Sequence, residues 1–304
     1  MMNYAIETHH LKKVYKDKIV VNDVNIHVKK GEIYGFVGPN GAGKSTLMKM
    51  LLNLVQANSG EIVIFGNKVI ESDFEILKRI GSIIENPYFY EKLTARENLD
   101  LHCEYMGYHN KNHIKEVLEC VGLLKDADKK ISQYSLGMKQ RLGIARAILC
   151  KPELVVLDEP TNGLDPAGMK QLRDLFKMLC SEYGITLIIS SHLLSEIESI
   201  ADTIGVINHG KMMKEISMKE ISEMNTAYIE LAATDTKKAA YVLAEKMELN
   251  NFKIIDDLKI RIYEVNVTTQ EISKELMLND VEIISINKHT ETLEDYFLKM
   301  TAEV

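Results

Sequence analysis

The chain has 304 residues, more than one ordinary hydrophobic core holds, so we expect one large domain and one small one. Apolar residues make up 46% and charged residues 27%, which is typical of a soluble globular protein. The formal net charge of −7 argues against binding of bare nucleic acid, although it does not exclude a local basic groove.

Cysteine usage and apolar patterning indicate a protein of the reducing cytosol. The four cysteines (Cys103, Cys120, Cys150 and Cys180) are scattered without a Cys-x-x-Cys pair, so neither a disulfide framework nor a zinc site is expected. The N-terminal MMNYAIETHH lacks the apolar segment of a signal peptide. No apolar run approaches the roughly 18 residues that span a bilayer, so at a membrane another chain must supply the span.

Strands and a glycine-rich loop are predicted for the first part of the chain. Residues 3–8, 20–28 and 33–37 are β-rich and separated by turn residues. Residues 38–43 are rich in glycine, and the following STLMKMLLNLV has apolar residues at helical spacing. EIVIFG and NKVI, within residues 61–70, predict another pair of strands.

The middle of the chain is predicted to be helical and then to return to strands. Residues 73–150 have a mainly helical pattern, with a capping box that runs from Thr94 to Glu97. LVVLD and TLIIS are short apolar runs bounded by breakers, as buried parallel strands are. A helical pattern over residues 167–183 lies between them, which predicts a parallel sheet with crossover helices.

A separate small domain is predicted for residues 226–304. Their pattern is strand, helix, strand, strand, helix and strand, the order of a ferredoxin-like split βαβ, followed by a closing helix at LEDYFLKM. The charged, methionine-rich segment KMMKEISMKEISEMN joins this domain to the preceding one. We therefore expect an α/β domain over residues 1–220 and a small α+β domain over residues 226–304.

Residues 38–45, GPNGAGKS, match the pattern G-x-x-x-x-G-K-[ST] of a phosphate-binding loop. The match follows the strand IYGFV and opens a helix, as that mechanism requires. Glycines let backbone N–H groups converge on a phosphate, and the helix N-terminus adds the positive end of its dipole. Lys44 can reach the β- and γ-phosphates, and the Ser45 hydroxyl can ligate Mg²⁺. A glycine-rich turn that merely joins strand to helix is the alternative.

Three polar residues follow predicted strands, at the edge where α/β sheets bind their ligands. Asp158 ends LVVLD and suits a metal partner, and Glu159 comes next and can orient or deprotonate an attacking water. His192 follows TLIIS and can contact the γ-phosphate. Taken singly, the acid pair is compatible with a solvated turn and the histidine with a structural role.

The motifs GPNGAGKST, YSLGMKQRLGIARA, LVVLDEP, NGLD and SH, in this order, resemble those of the ATP-binding subunits of ABC transporters. The resemblance covers about residues 1–220. It implies a P-loop ATPase domain with a parallel-sheet core, an antiparallel β subdomain and a helical subdomain over about residues 85–150. SIIENPYFYEKLTARENL and QYSLGMKQRLGIARA are most similar to the subunits of bacitracin and lantibiotic resistance exporters.

The resemblance also implies roles for individual residues. Tyr15 matches the aromatic residue that stacks on adenine, although a half-buried strand tyrosine is the alternative. Asp158 matches the metal-orienting acid, Glu159 the catalytic carboxylate and His192 the switch histidine. Asp165, in NGLDP, matches the loop that touches the partner subunit. The implied phosphate and metal contacts of the P-loop come from Gly38, Pro39, Asn40, Gly41, Ala42, Gly43, Lys44, Ser45 and Thr46.

Two positions depart from the family pattern. Glu85, in IIENP, stands where the family usually has a glutamine beside the metal. A carboxylate can still accept a metal contact but adds negative charge and cannot donate a hydrogen bond, and a solvated glutamate at a helix end is the alternative.

The second departure replaces the family's L-S-G-G-Q by YSLGM at residues 134–138. Ser135 and Gly137 keep the hydroxyl and the close backbone approach that this element needs. Leu136 replaces a glycine, which matters only if the position requires a positive φ or no Cβ. An inert helix start is the alternative interpretation.

An assembly follows from the same resemblance. The YSLGM segment is expected to cap the nucleotide of the other subunit, so that a homodimer closes on two ATP molecules with Mg²⁺. A separate membrane permease is expected to dock near residues 85–108 and to hold the chain at the inner, cytoplasmic face of the cell membrane. The exported substrate is expected to be a peptide antibiotic, and no nucleic acid partner is expected.

Two alternatives stay open at this stage. A soluble ATPase of the same type that acts on ribosomes, DNA or chromosomes is the alternative to a transporter subunit, although such chains usually carry two cassettes, long coiled coils or zinc modules. The pattern of residues 226–304 is compatible with sensing a ligand, bracing the dimer or covering an edge.

Overall fold

The computed structural model describes residues 4–70, 75–110, 112–224, 228–264 and 267–289. It divides into two compact units, Met1–Lys219 and Glu220–Val304. The described strands of the first unit are β1 (Tyr4–Tyr15), β2 (Lys18–Val24), β3 (His27–Lys29), β4 (Ile33–Val37), β5 (Ser59–Ile64), β6 (Asn67–Lys68), β7 (Ile80–Ile83), β8 (Leu154–Leu157), β9 (Thr186–Ser191), β10 (Thr203–Asn208) and β11 (Lys211–Ser217). The helices are α1 (Lys44–Leu51), α2 (Ala95–Met106), α3 (Asn112–Cys120), α4 (Leu136–Ile148), α5 (Pro166–Ser181), α6 (Leu194–Glu198) and, across the boundary between the units, α7 (Met218–Met224).

A six-stranded sheet forms the centre of the first unit, in the order β11-β10-β4-β9-β8-β7. All neighbours are parallel except β10 and β11, which are antiparallel. Every residue of β4, β8 and β9 is buried, as the continuous apolar runs LVVLD and TLIIS predicted for β8 and β9. Because these three strands are parallel neighbours, their carboxyl ends meet at one edge of the sheet.

An antiparallel sheet, in the order β2-β1-β5-β6 with β3 also on β1, packs on the central sheet. The two share one hydrophobic core, in which Ile6 and Ile64 lie with Phe36 of β4 and Met48 of α1. The prediction of a single strand over residues 20–28 was wrong. Asp23, near the end of β2, has a φ of 58°, and residues 25 and 26 are not strand, so β2 and β3 pair with different parts of β1.

A helical region of α2, α3 and α4 lies between β7 and β8 along the chain, and these three helices contact one another. The prediction of a mainly helical pattern from residue 73 was wrong at its start, because β7 is a strand parallel to β8. Four residues are too few for periodicity to distinguish a short strand from a helix. Strand β7 places Glu85 at the same sheet edge as the ends of β8 and β9.

The second unit contains β12 (Tyr228–Ala233), α8 (Thr236–Glu245), β13 (Phe252–Ile254), β14 (Lys259–Ile262), α9 (Thr269–Leu278) and β15 (Ile283–His289). Its antiparallel sheet has the order β13-β14-β12-β15, which is the ferredoxin-like arrangement that the element order predicted. Leu231, Leu243 and Ile272 lie in its own core. The predicted closing helix at LEDYFLKM lies outside the described residues.

Among the described residues, none of the helices has both the length and the apolar character needed to cross a membrane. All four cysteines are free thiols. Burial raises the pKa of the Cys150 and Cys180 thiols to about 11, so both stay protonated at neutral pH.

Candidate functional site

The glycine-rich loop connects β4 to the first turn of α1. Gly43 has a φ of 108°, and a Cβ there would lie 2.6 Å from the carbonyl oxygen of Val20. A Cβ on Gly38 would collide with the carbonyl oxygen of Ile207. Both positions therefore require glycine, which lets the loop backbone lie against β2 and β10. This packing holds the first N–H groups of α1 at the carboxyl end of β4, as a phosphate site requires.

Lys44 is buried, with only 5% of its surface exposed. Its ammonium donates to the carbonyl oxygens of Gly38 at 2.6 Å and Pro39 at 3.3 Å. It also lies 3.4 Å from Oε1 of Glu159. Buried ammonium groups need such partners because desolvation is costly. One cation thus connects the loop, α1 and the segment that follows β8.

The two acids directly follow β8 and are held by its neighbours. Asp158 is 4% exposed; its N–H donates to the carbonyl oxygen of Ile83, and its Oδ1 accepts a hydrogen bond from the Ser190 hydroxyl at 2.6 Å. The N–H of Glu159 donates to the same hydroxyl at 2.8 Å. Ser190 was not predicted from the sequence, although a polar residue in the apolar strand before His192 was a usable signal.

Glu159 lies between a lysine and a histidine. Its Oε2 is 2.7 Å from Nδ1 of His192, and its Oε1 faces the Lys44 ammonium. A carboxylate beside Nδ1 favours the tautomer that carries the proton there, which leaves Nε2 for other contacts. The structure thus brings together Lys44, Asp158, Glu159 and His192, three of which follow β8 and β9. We call these four residues the acid cluster.

Glu85 is paired with Lys49, a residue for which the sequence motifs predict no role. Its Oε1 lies 2.8 Å from Nζ of Lys49 on α1. This hydrogen bond lowers the pKa of the Glu85 carboxyl and raises the pKa of Lys49, on which Asp158 and Tyr15 also act electrostatically. Lys49 therefore offsets the negative charge that Glu85 adds beside the acid cluster.

Tyr15 ends β1 and is 45% exposed. The ammonium of Lys13 lies 5.0 Å from the centre of its ring. An aromatic ring in this setting offers a face on which another ring can stack.

A second group of the predicted residues lines an open cavity of ≈ 420 Å³. Ser135 caps α4 by accepting a hydrogen bond from the N–H of Met138 at 3.2 Å. Asp165 caps α5 by accepting one from the N–H of Gly168 at 2.9 Å. We call this space the lid cavity, and its lining includes Ser135, Leu136, Gly137, Gly163, Asp165 and Gly168.

Leu136 is the first residue of α4, so its backbone is helical and has no need of a positive φ. Its side chain is 50% exposed and packs against Gly163, where an added Cβ would lie 2.8 Å from the leucine Cδ2. The position of Leu136 therefore does not require the positive φ that would make the loss of the family's glycine matter.

The oxygen donors beside the P-loop fit Mg²⁺. Ser45 follows Lys44 in the first turn of α1, and the carboxylates of Asp158 and Glu85 both act electrostatically on Lys49 of that helix. Mg²⁺ binds hard oxygen ligands, typically one or two carboxylates together with phosphate oxygens and water. This donor set suits a magnesium ion that accompanies a nucleotide.

Comparisons with known proteins agree with this geometry. A model of the family described as ABC transporter matches residues 21–162. The uncharacterized ABC transporter ATP-binding protein YcbN of Bacillus subtilis (strain 168) is 58% identical over 98% of this chain and 97% of its own. The bacitracin transport ATP-binding protein BcrA of Bacillus licheniformis is 45% identical over 98% of both chains.

A solved structure shows the same fold. The dimeric post-hydrolysis structure of the ATP-binding cassette MJ0796, bound to ADP and Pi, has a TM-score of 0.64 and 26% identity, and it covers 70% of this chain and 98% of that one. The resemblance to bacitracin-type subunits is thereby confirmed, and the non-transport alternative is not favoured. The chain belongs to the ATP-binding subunits of ABC transporters.

Proposed function

We propose that this ATPase drives a membrane exporter that removes a peptide antibiotic of the bacitracin or lantibiotic class. The observation that carries the proposal is the acid cluster, in which Glu159 lies 3.4 Å from the P-loop lysine and 2.7 Å from His192. A carboxylate held beside a phosphate loop is positioned to activate water against a γ-phosphate.

The nucleotide is proposed to lie along the P-loop with its adenine on Tyr15. The backbone N–H groups of residues 38–43 and the N-terminus of α1 bind the phosphates together with Lys44 and Thr46. Ser45, Asp158 and Glu85 would hold Mg²⁺, which when bound neutralises negative charge on the phosphates.

Hydrolysis is proposed to use Glu159 together with its two partners in the acid cluster, Lys44 and His192. Glu159 accepts a proton from the attacking water, while Lys44 and the loop N–H groups stabilise the charge on the phosphates. Since Nδ1 of His192 is engaged by Glu159, Nε2 is the nitrogen that contacts the γ-phosphate. The contact of Nδ1 with Glu159 orients the carboxylate, so His192 connects the γ-phosphate to the general base.

The lid cavity is proposed to act on the nucleotide of a second copy. It combines the Ser135 hydroxyl with the N-termini of α4 and α5, whose dipoles favour a phosphate. Each chain holds one acid cluster and one lid cavity, so a twofold homodimer contains two complete sites. Asp165 lies in the lining and would contact the partner chain.

A permease is proposed to dock on an aromatic surface formed by Tyr88, Tyr90, Tyr105 and Met106. Tyr88 is 84% exposed, and the Tyr90 and Tyr105 hydroxyls lie 3.5 Å apart. Arg146 of α4 supports this surface by donating to the carbonyl oxygen of Tyr88 at 2.9 Å. Clustered exposed apolar residues mark interaction sites. Two of the residues on this surface, Tyr88 and Tyr90, come shortly after Glu85 in the chain.

The location of the chain in the cell and a role for the small domain are also proposed. The permease would hold the chain at the inner face of the cell membrane, without a nucleic acid partner. Residues 226–304 are proposed to form an accessory domain that braces the assembly. The substrate class rests on the similarity to BcrA.

The proposal is tested by deleting the gene in its own host and measuring resistance to bacitracin and to lantibiotics. Resistance should fall, return with the native chain and stay low with Glu159→Gln. The tagged native chain should also co-purify from detergent extracts with a multi-span membrane protein. Unchanged resistance to both classes, or capture of ribosomes instead, would overturn it.

A further inference from the structure

Ser190 connects the two acids of the cluster. It is fully buried in β9, whose neighbour β8 ends at Leu157 opposite Ile189. Its hydroxyl donates to Oδ1 of Asp158 at 2.6 Å and accepts from the N–H of Glu159 at 2.8 Å. One side chain of the neighbouring strand thus contacts both residues that follow β8.

We propose that Ser190 is a positioning residue for ATP hydrolysis, which orients the Asp158 carboxylate and fixes the backbone from which Glu159 extends. This inference rests on the roles proposed above for those two acids. Ser190 contacts no reacting atom in this scheme and acts only through them.

The bond to Asp158 fixes a carboxylate that is to orient a metal. Because Oδ1 accepts a hydrogen bond from the serine, Oδ2 would be the oxygen available to a metal. Hydrogen bonds from surrounding residues commonly orient metal-associated carboxylates, and losing one typically costs on the order of 10- to 100-fold in metal affinity or activity.

The bond from Glu159 supports an uncommon backbone conformation. Glu159 has a φ of 48°, in the left-handed region that non-glycine residues seldom adopt. Such conformations persist only where surrounding contacts hold them, and they cluster at active sites. The Ser190 hydroxyl accepts the N–H of this residue, so it helps to direct the Glu159 carboxylate toward Lys44 and His192.

A buried hydroxyl can also serve stability alone, and the chain offers a matched case. Thr8 is equally buried, donates to the carbonyl oxygen of Val24 at 3.1 Å and accepts from the N–H of Ile26 at 3.0 Å. Ser190 and Thr8 therefore each donate one hydrogen bond and accept one from a backbone N–H, but Ser190 donates to a carboxylate, whereas Thr8 donates to a backbone carbonyl in the antiparallel sheet. Thr8→Val is the control for the loss of a buried hydroxyl.

The experiment compares Ser190→Ala with Thr8→Val in the full-length chain. It measures steady-state ATP hydrolysis over a Mg²⁺ titration, ATP binding and the midpoint of thermal unfolding. Ser190→Ala should lower kcat about 10- to 100-fold and raise the Mg²⁺ concentration for half-maximal rate, while KM for ATP changes much less. Thr8→Val should lower only the unfolding midpoint.

The result that overturns the proposal is a Ser190→Ala chain whose kcat and Mg²⁺ dependence match those of Thr8→Val. If Ser190→Ala does not fold, Ser190→Thr, which keeps a hydroxyl, is compared with Ser190→Cys, which offers only a weak donor. Equal kcat in those two variants also overturns it.

Glu159→Gln separates this inference from the proposed function. If that variant hydrolyses ATP normally, the proposed role of Glu159 fails, and the Ser190 inference fails with it. If Glu159→Gln is blocked while Ser190→Ala is normal, only the Ser190 inference fails.

Discussion

The acid cluster and the lid cavity belong to one chain but are built differently. In the acid cluster, Lys44 and Asp158 are buried, and the side chain of Glu159 contacts both Lys44 and His192. In the lid cavity, Ser135 and Asp165 cap their own helices and border open space. The cluster therefore depends on specific charges, whereas the lid depends on helix N-termini and one hydroxyl.

This difference fits the departure of the lid from the family pattern, whereas the other departure, Glu85, lies beside the acid cluster and is paired with Lys49. Leu136 and Met138 change the lid sequence but leave the helix start intact, and Leu136 has a helical backbone. The P-loop, both acids and the histidine keep the family residues. We therefore expect substitutions in the acid cluster to have large effects and substitutions in the lid to have graded ones.

The largest expected effect is that of Glu159→Gln, which keeps the shape of the side chain but removes the base. Turnover should fall by about 10²- to 10⁴-fold, the usual contribution of a general base, while ATP binding and a stable dimer remain. Steady-state hydrolysis and size-exclusion chromatography with ATP measure both. The control is Glu153→Gln, before the start of β8, where the carboxylate pairs with Arg79. Normal turnover in Glu159→Gln would show that Glu159 is not the general base for ATP hydrolysis.

An intermediate effect is expected for Ser135→Ala in the lid. Hydrolysis should fall about 10-fold, because a hydrogen bond to a charged phosphate contributes more than a neutral one. The lost cap should also cost about 1 kcal/mol of stability. Thr268→Ala, which removes the cap of α9, is the matched control and should show only the stability loss. Equal hydrolysis rates in the two variants would show that the Ser135 hydroxyl serves its own helix alone.

A smaller effect is expected for Lys49→Met, which removes the partner of Glu85. The pKa of Glu85 is lowered by this lysine, so it should rise toward its ordinary value in the variant. The pair contributes to stability above the carboxyl pKa of the unfolded chain, and this contribution is lost as pH falls through the lowered pKa. An NMR titration of the Glu85 carboxyl measures the change. Lys78→Met, which breaks the exposed pair with Glu75, should leave the Glu85 titration unchanged.

The smallest effect is expected for Leu136→Gly, which restores the family's residue. The rate should stay within about twofold of the native one, and stability should fall by up to about 1 kcal/mol because glycine is a poor helix former. ATP hydrolysis and thermal unfolding measure the two quantities. A much faster variant would show instead that the leucine damps the site.

Sequence patterns predicted those features that depend on residues close together in the chain. The P-loop is a glycine pattern between strand and helix, and the second unit follows its element order. Strand β7 was missed because a segment of four residues is too short to show a period. Ser190 and Lys49 were missed because their partners lie 32 and 36 residues away along the chain. The contacts themselves become visible only in the folded chain, although a polar residue within the apolar strand before His192 was a usable signal for Ser190.

The central claim is that each site takes its acid cluster from one chain and its lid from the other. The most direct test is to mix two inactive variants. Lys44→Ala disables the P-loop, and Ser135→Arg blocks the lid. Each variant alone should be inactive as a homodimer. Mixed in equal amounts, they should recover about a quarter of native hydrolysis, because about half of the dimers contain both variants and each of these holds one intact site. A mixture as inactive as its components would contradict the claim.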